Sequence, residues 1–291
     1  MNRVRVLAHA KVNLHLRVLG RRADGYHDLE TIFQAIDLHD VLEIEEGGAG
    51  VALSVTGEDE GPVEDNLVAR AARAFLARAG RGLEGVRVRL EKRIPTGAGL
   101  GGGSSDAAAT LRALDALFPR AVPPEEIRAI AEGLGSDVPF FLGPTPLALG
   151  RGRGEVIEPI TPLPSLPGVV VLPEGRVATA SAYRELDLQR EGKPAAASQP
   201  LGPPSDWNAA AASARNDFEP VVGVTRPDVG RTLAALRETK PRLSLLSGSG
   251  SASFALYDSE EGAEAAAARL GGVPDLRVIP VSTLDGWPDR P

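Results

Sequence analysis

Apolar and polar positions alternate along the first part of the chain. Residues 3–8 and 11–19 put Val4, Val6, Val12, Leu14, Leu16 and Val18 in step, a period of two that predicts half-buried strands. The segment Gly20-Arg21-Arg22-Ala23-Asp24-Gly25 breaks the alternation as a loop. Further short strands are predicted over 29–37, 40–46 and 51–56. The period then lengthens. Leu67, Val68, Ala71, Ala72, Phe75 and Leu76 share one helical face, opened by Asp65-Asn66 and closed near Gly80. Val86, Val88 and Leu90 mark another strand. Beyond a glycine-rich stretch, Leu111, Leu114, Leu117 and Phe118 mark a helix that stops before Pro119. A short helix over 124–133 carries Glu125 and Glu126 where the helix dipole favours negative charge.

The second half is organised by proline. Pro159, Pro162, Pro164 and Pro167 mark a junction between an N-terminal domain (1–160) and a C-terminal one (161–291). Residues 190–205, rich in Pro, Ala, Ser and Gly, read as a flexible excursion. The final third reads helix (228–238), strand (243–247), glycine turn, strand (252–257), helix (260–270), strand (275–281). That order suits a smaller two-layer α+β domain with an antiparallel sheet, so the fold class is α+β.

Composition narrows the classes of function. The chain has 291 residues, of which 43% are hydrophobic, enough for two packed cores. No apolar run approaches the roughly 18–20 residues of a membrane span, and the first residues alternate rather than form a secretory leader. Cysteine is absent, which removes disulfides, thiolate metal sites and Cys nucleophiles. A net charge of −7 without a basic run disfavours nucleic acid as a partner. His9, His15, His27 and His39 show no metal-ligand spacing, so no protein-bound metal is expected. A cytoplasmic enzyme that needs no oligomer fits these facts. Lysine is scarce: only Lys11, Lys92, Lys193 and Lys240 stand beside 28 arginines, so each one raises the question of its use.

Candidate chemistry begins at Pro95-Thr-Gly-Ala-Gly-Leu-Gly-Gly-Gly-Ser-Ser105. Five of the seven residues from Gly97 to Gly103 are glycine, and a helix starts at once behind them. Such a loop gathers free N–H groups and the positive end of a helix dipole, a cradle for phosphate. Walker A is excluded because no lysine precedes Ser104. The dinucleotide pattern matches at Gly97, Gly99 and Gly102, but the loop leads into two successive helices, not a βαβ unit. The stretch from Pro95 through Gly99, Leu100, Gly101, Gly102, Gly103, Ser104 and Ser105 resembles the ATP loop of the GHMP kinases. That resemblance implies a two-domain architecture, ATP on this loop, hydroxyls of Ser104 and Ser105 on phosphate or Mg²⁺ arriving with ATP, and Asn66 near the adenine.

Two more segments carry the resemblance further. Ala10-Lys11-Val-Asn13 with Gly20-x-Arg22-x-Asp24-Gly25-Tyr26-His27 is similar to the opening of one GHMP branch, whose substrate is a cytidine diphosphate-linked polyol. Gly135-Ser136-Asp137-Val138-Pro139 resembles its catalytic segment, and Ser247-Gly248-Ser249-Gly250-Ser251 its C-terminal glycine motif. The resemblance implies Asp137 as the base, Lys11 beside it as the cation, and Tyr26, His27, Phe33 and Tyr183 around the cytosine with Asn13 on its polar parts. Read from residues alone, Asp137 is equally a helix cap, Lys11 an exposed strand lysine, and Gly248 with Gly250 a tight hairpin. Two other readings stand beside the first: a sister kinase of the homoserine or mevalonate type, and a non-catalytic nucleotide-binding module.

Overall fold

Two long strands organise the molecule, β1 (Arg3–Arg21) and β2 (His27–Glu46), paired antiparallel along their length. Four shorter strands were expected there. The alternation instead runs through three register irregularities, at His9/Lys11, Asn13/His15 and Val18/Gly20, which bend a strand without ending it. This computed structural model describes residues 3–57, 65–80, 83–175, 177–195 and 199–288.

The chain continues through β3 (Gly50–Gly57), α1 (Leu67–Ala79), β4 (Gly85–Lys92), α2 (Gly102–Leu117), α3 (Pro124–Leu134), α4 (Val138–Leu142), β5 (Leu147–Gly152) and β6 (Val156–Pro159). It then forms β7 (Pro167–Pro173), α5 (Thr179–Gln189), α6 (Trp207–Ala212), β8 (Arg215–Asn216), α7 (Glu219–Thr225) and α8 (Pro227–Glu238). β9 (Leu243–Leu246), β10 (Ser253–Leu256), α9 (Glu260–Gly271) and β11 (Leu276–Ser282) complete it. The first sheet runs β3-β4-β2-β1-β8, with β5 also paired to β2 and β6 to β5. The second runs β11-β7-β10-β9 and is antiparallel throughout. Every strand of the first sheet lies within residues 3–159 except β8, which pairs with β1 from the second half. The fold is α+β.

Burial explains where sequence pattern succeeded. α1 and α2 lay Phe75, Leu111 and Leu114 on Val86, Val88 and Leu90 of β4. Asn66 caps α1, its Oδ1 accepting the Val68 N–H at 2.9 Å. β7 escaped notice because it has no alternation. Val170 and Leu172 pack toward the first sheet while Val169 and Val171 pack toward α8 and α9, so both faces are apolar. At the first irregularity of β1 the even-numbered side chains change core. Val6 and Ala8 lie under the helices, whereas Ala10, Val12 and Leu14 pack with Val170 and Phe254 of the second sheet. The odd-numbered Lys11 and Asn13 thereby face a cleft.

The stretch expected as a loose excursion is tied down where it is described. Ala195 donates its N–H to the Leu19 carbonyl at 2.8 Å, and Arg151 donates to the Leu201 carbonyl at 3.0 Å. Residues 196–198 lie outside the described residues. No helix among the described residues is long and apolar enough to cross a membrane.

Candidate active site

The glycine loop is clamped from two sides. The Lys11 N–H donates to the Leu100 carbonyl at 2.9 Å, and Ala252 N–H to the Ala98 carbonyl at 3.0 Å. Ser247 Oγ donates to the Gly99 carbonyl at 2.9 Å. Glycine is required at Gly99, where φ is +83° and a Cβ would lie 2.1 Å from the Ser247 carbonyl oxygen. Gly101 caps α2 in the left-handed region (φ 72°) and offers no side-chain acceptor. The first-turn N–H groups of a 16-residue helix therefore stay open to an anion. The second glycine run is the expected hairpin turn joining β9 to β10, and Ser247 at its start also holds the first loop.

Lys11 is buried, and its Nζ has three oxygen neighbours. It donates to Asn13 Oδ1 at 2.8 Å and to the Gly99 carbonyl at 3.0 Å, and lies 3.5 Å from Asp137 Oδ2. Asp137 holds the N-cap position of α4, yet its carboxylate makes no capping bond. It faces Lys11 instead, with 29% of the side chain exposed. The cap reading fails on that point. Asn13 is spent within the protein: its Oδ1 also accepts the Gly248 N–H at 2.9 Å, and its Nδ2 donates to Thr31 Oγ1 at 2.8 Å. Phe33 stacks on Phe140 and lies below the Lys11 ammonium, 5.6 Å from Nζ to ring centre.

A cavity of about 1050 Å³ opens from this pair. Its lining joins Lys11, Asn13, Phe33, Gly99, Gly101 and Asp137 to Tyr26, His27 and Tyr183. His27 stacks on Tyr183 with ring centres 4.7 Å apart and planes 22° apart, and Tyr183 meets Phe218 edge-on. His27 Nε2 lies 2.8 Å from Asp187 Oδ1 on α5. Burial, and then the charge of Asp137, push the Tyr183 hydroxyl well above the ordinary tyrosine range, so it stays protonated. Tyr26 stands 56% exposed at the mouth.

The expected ATP residues fall elsewhere around the loop. Asn66, Pro95, Gly97, Leu100, Gly102, Gly103, Ser104 and Ser105 do not line this cavity. Leu100 points into the core shared by the two sheets, and Pro95 borders a separate groove with Thr96. Gly103 lies beside α1, where a Cβ would sit 3.5 Å from Leu67. Next to it, Asn66 Nδ2 is buried with no hydrogen-bond partner among the described residues. An orphaned donor costs free energy unless something accepts from it.

Sequence reading missed one cluster altogether. Lys92 Nζ donates to Asp40 Oδ2 at 2.5 Å and Asp106 Oδ2 at 2.7 Å, all three side chains being fully enclosed. Asp40 Oδ1 takes the N–H groups of Arg93 (2.5 Å) and Ile94 (2.8 Å) at the start of the loop. The cluster thus fixes β2, β4 and the first turn of α2 together beneath the glycines. Burial pushes the Asp106 carboxyl far up, against the pull of Lys92. Burial alone would lower Lys92, but Asp106 and Asp40 outweigh it and raise its pKa, so it remains a cation. The only signal in the chain was the rarity of lysine.

Comparison with known proteins agrees with this geometry. The family described as GHMP kinases N terminal domain matches residues 66–143, and GHMP kinases C terminal matches 202–273. The chain is a GHMP kinase. It is 43% identical over 270 residues to the 4-diphosphocytidyl-2-C-methyl-D-erythritol kinase of Pelotomaculum thermopropionicum, covering 91% of this chain and 93% of that one. With the enzyme of the same name from Solibacter usitatus it is 43% identical over 281 residues, covering 94% and 88%. A crystal structure of 4-(cytidine 5'-diphospho)-2C-methyl-D-erythritol kinase superposes with a TM-score of 0.78 at 36% identity, covering 98% of this chain and 100% of that one. The chain belongs to the 4-diphosphocytidyl-2-C-methyl-D-erythritol kinase family. Homoserine kinase from Cytophaga hutchinsonii shares the fold (TM-score 0.73) at 19% identity.

Proposed function

We propose that this chain transfers the γ-phosphoryl group of ATP to the C2 hydroxyl of 4-diphosphocytidyl-2-C-methyl-D-erythritol, a step of the non-mevalonate route to isoprenoid precursors. The observation that carries the reading is the Lys11–Asp137 pair, 3.5 Å apart, opening on the same cavity as the glycine loop and the Tyr26–His27 corner. Asp137 takes the proton of the attacking hydroxyl as its oxygen bonds to the γ-phosphorus. The bond from that phosphorus to the β,γ-bridging oxygen breaks, and ADP leaves with the electron pair. Lys11, 3.5 Å from Asp137 Oδ2, brings a positive charge to the site where the negative transition state forms. Phosphoryl transfer asks mainly for positioning and charge stabilisation, and these two groups supply both.

The open N–H groups of α2, Ser104, Ser105 and the Asn66 Nδ2, which has no partner among the described residues, would hold ATP. The hydroxyls of Ser104 and Ser105 are hard oxygen donors of the kind Mg²⁺ takes, and the ion would neutralise phosphate charge when it arrives with ATP. His27, Tyr183 and Tyr26 would hold the cytosine; Phe33 and Asn13, expected beside the base, lie instead against Lys11 and would floor the reacting end. Residues 1–160 act as the ATP-binding domain and 161–291 as the substrate-side domain, with no need of an oligomer. An ATP-consuming biosynthetic step of this kind belongs in the cytoplasm.

A coupled ADP-release assay over a panel of alcohols tests the reading. Turnover with the cytidine diphosphate-linked polyol is expected, and homoserine and mevalonate should give none above background. Efficient turnover of either of those, without the nucleotide substrate, would replace the assignment.

A further inference from the structure

Arg153 lies on the turn between β5 and β6 and is not used by the chemistry above. Its guanidinium carbon stands 4.9 Å from the centre of the Tyr26 ring. Glu155 Oε2 accepts its backbone N–H at 2.6 Å, while Glu155 Oε1 comes no closer than 3.5 Å to Nε. Among the described residues the guanidinium donates no hydrogen bond, and with Nε paired to Glu155 its terminal N–H donors are available. The next residue, Gly154, backs on the reacting end: a Cβ there would sit 4.0 Å from Asp137 Oδ1. One turn therefore touches both ends of the cavity. The lining carries Lys11, Arg21, Arg153 and Arg184 against Asp137 and Asp187, a cationic surplus in a chain of net charge −7. Neutral parts of a ligand gain nothing from such a surplus, and an anionic part does.

We propose that Arg153 binds the diphosphate of the nucleotide substrate, an assignment that rests on the substrate reading above. A molecule with its hydroxyl at Asp137 and its base at Tyr26 and His27 must carry its diphosphate past the 153–154 turn. A guanidinium presents a planar fork that two phosphate oxygens can fill together, and the face of Tyr26 fixes the plane of that fork. Lysine would bring the charge without the fork. Glu155 is retained by the backbone of its own turn, which leaves the donors turned to the cavity uncommitted. Arg153 thereby measures the length between base and reacting hydroxyl, and selects a diphosphate-linked alcohol over a free one.

Calorimetry with cytidine and with CDP, on wild type and on Arg153→Gln, tests the assignment. CDP should bind about 10-fold more weakly to the variant, with cytidine unchanged within about twofold. Arg153→Lys should recover only part of the loss. The KM for the nucleotide-linked alcohol should rise in parallel while kcat moves less. Thermal melts that coincide with wild type establish that the variants fold. Equal losses for cytidine and CDP would reduce Arg153 to a brace for Tyr26 and overturn the proposal, as would unchanged CDP affinity. Wild type that binds neither ligand would overturn the substrate reading itself, a separate outcome.

Discussion

At the scale of single residues, environment decides what each charged group can do. Asp137 occupies a cap position and declines the cap, leaving its carboxylate to Lys11 and the cavity. Asp137→Asn keeps the size and polarity of the side chain and removes its capacity to take a proton. In ADP-release kinetics kcat should fall about 10²–10⁴-fold. The KM for ATP should stay within about twofold, because the loop from Gly97 to Ser105 does not lean on that carboxylate. A kcat near wild type would remove Asp137 as the base. The family resemblance put Lys11 beside Asp137, whereas the residues alone read equally as a strand lysine and a helix cap and could not show them touching. Neither gave a hint that Asn13 is committed to Lys11 and Gly248, since those contacts are set by the folded backbone and, for Gly248, join residues far apart in sequence. The His27–Asp187 contact and the Lys92 cluster were invisible for the same reason.

At the scale of elements, regular periodicity was legible and irregular burial was not. α1, α3, α8 and α9 each expose one face, whereas α2 is buried all round from Ser105 to Leu111; the boundaries of all five fall within a few residues of the apolar pattern. β7 is covered on both faces, α6 and α7 are short, and α5 buries only Ala182 and Leu186, so none of them writes a clean period into the sequence. The glycine loop was recognisable by composition, but the cause of its glycines is tertiary. At Gly99 the β9–β10 turn leaves no room for a methyl group. Gly99→Ala should therefore displace the loop from Ser247 and move the carbonyl that receives Lys11 Nζ. Left-handed strain and the clash together should cost about 1–3 kcal/mol in stability. The KM for ATP should rise at least about tenfold, whereas Gly133→Ala, on an open helix face, should leave the KM unchanged and raise stability by about 0.5–1 kcal/mol. An unaltered melt and KM in Gly99→Ala would show that the turn yields without consequence.

At the scale of the whole molecule, the two sheets do not bury their apolar faces separately. Ala10, Val12, Leu14, Ile32 and Ile36 of the first sheet form one core with Val170, Leu245 and Phe254 of the second. β8 adds a strand to the first sheet from the second half, and Leu284 returns to donate its N–H to the Ala35 carbonyl at 3.0 Å. A division at residue 160 therefore does not separate two independent folding units. Expressed alone, residues 1–160 would expose the lower face of β1 and β2 to water, at about 25 cal/mol for each Å² uncovered. The fragment should show helical and strand circular dichroism with no cooperative melt, and should bind a hydrophobic dye. Co-expression with 161–291 should restore a single sharp transition, because the shared core reforms between the two pieces. A fragment that melts sharply by itself, close to the full chain, would mean that the helix-covered core around Phe75 and Leu114 suffices. The same dependence bears on function. The Gly248 N–H that holds Asn13, and through it Lys11, comes from the second half. A folded 1–160 fragment should for that reason still be inactive, and activity should return only with its complement.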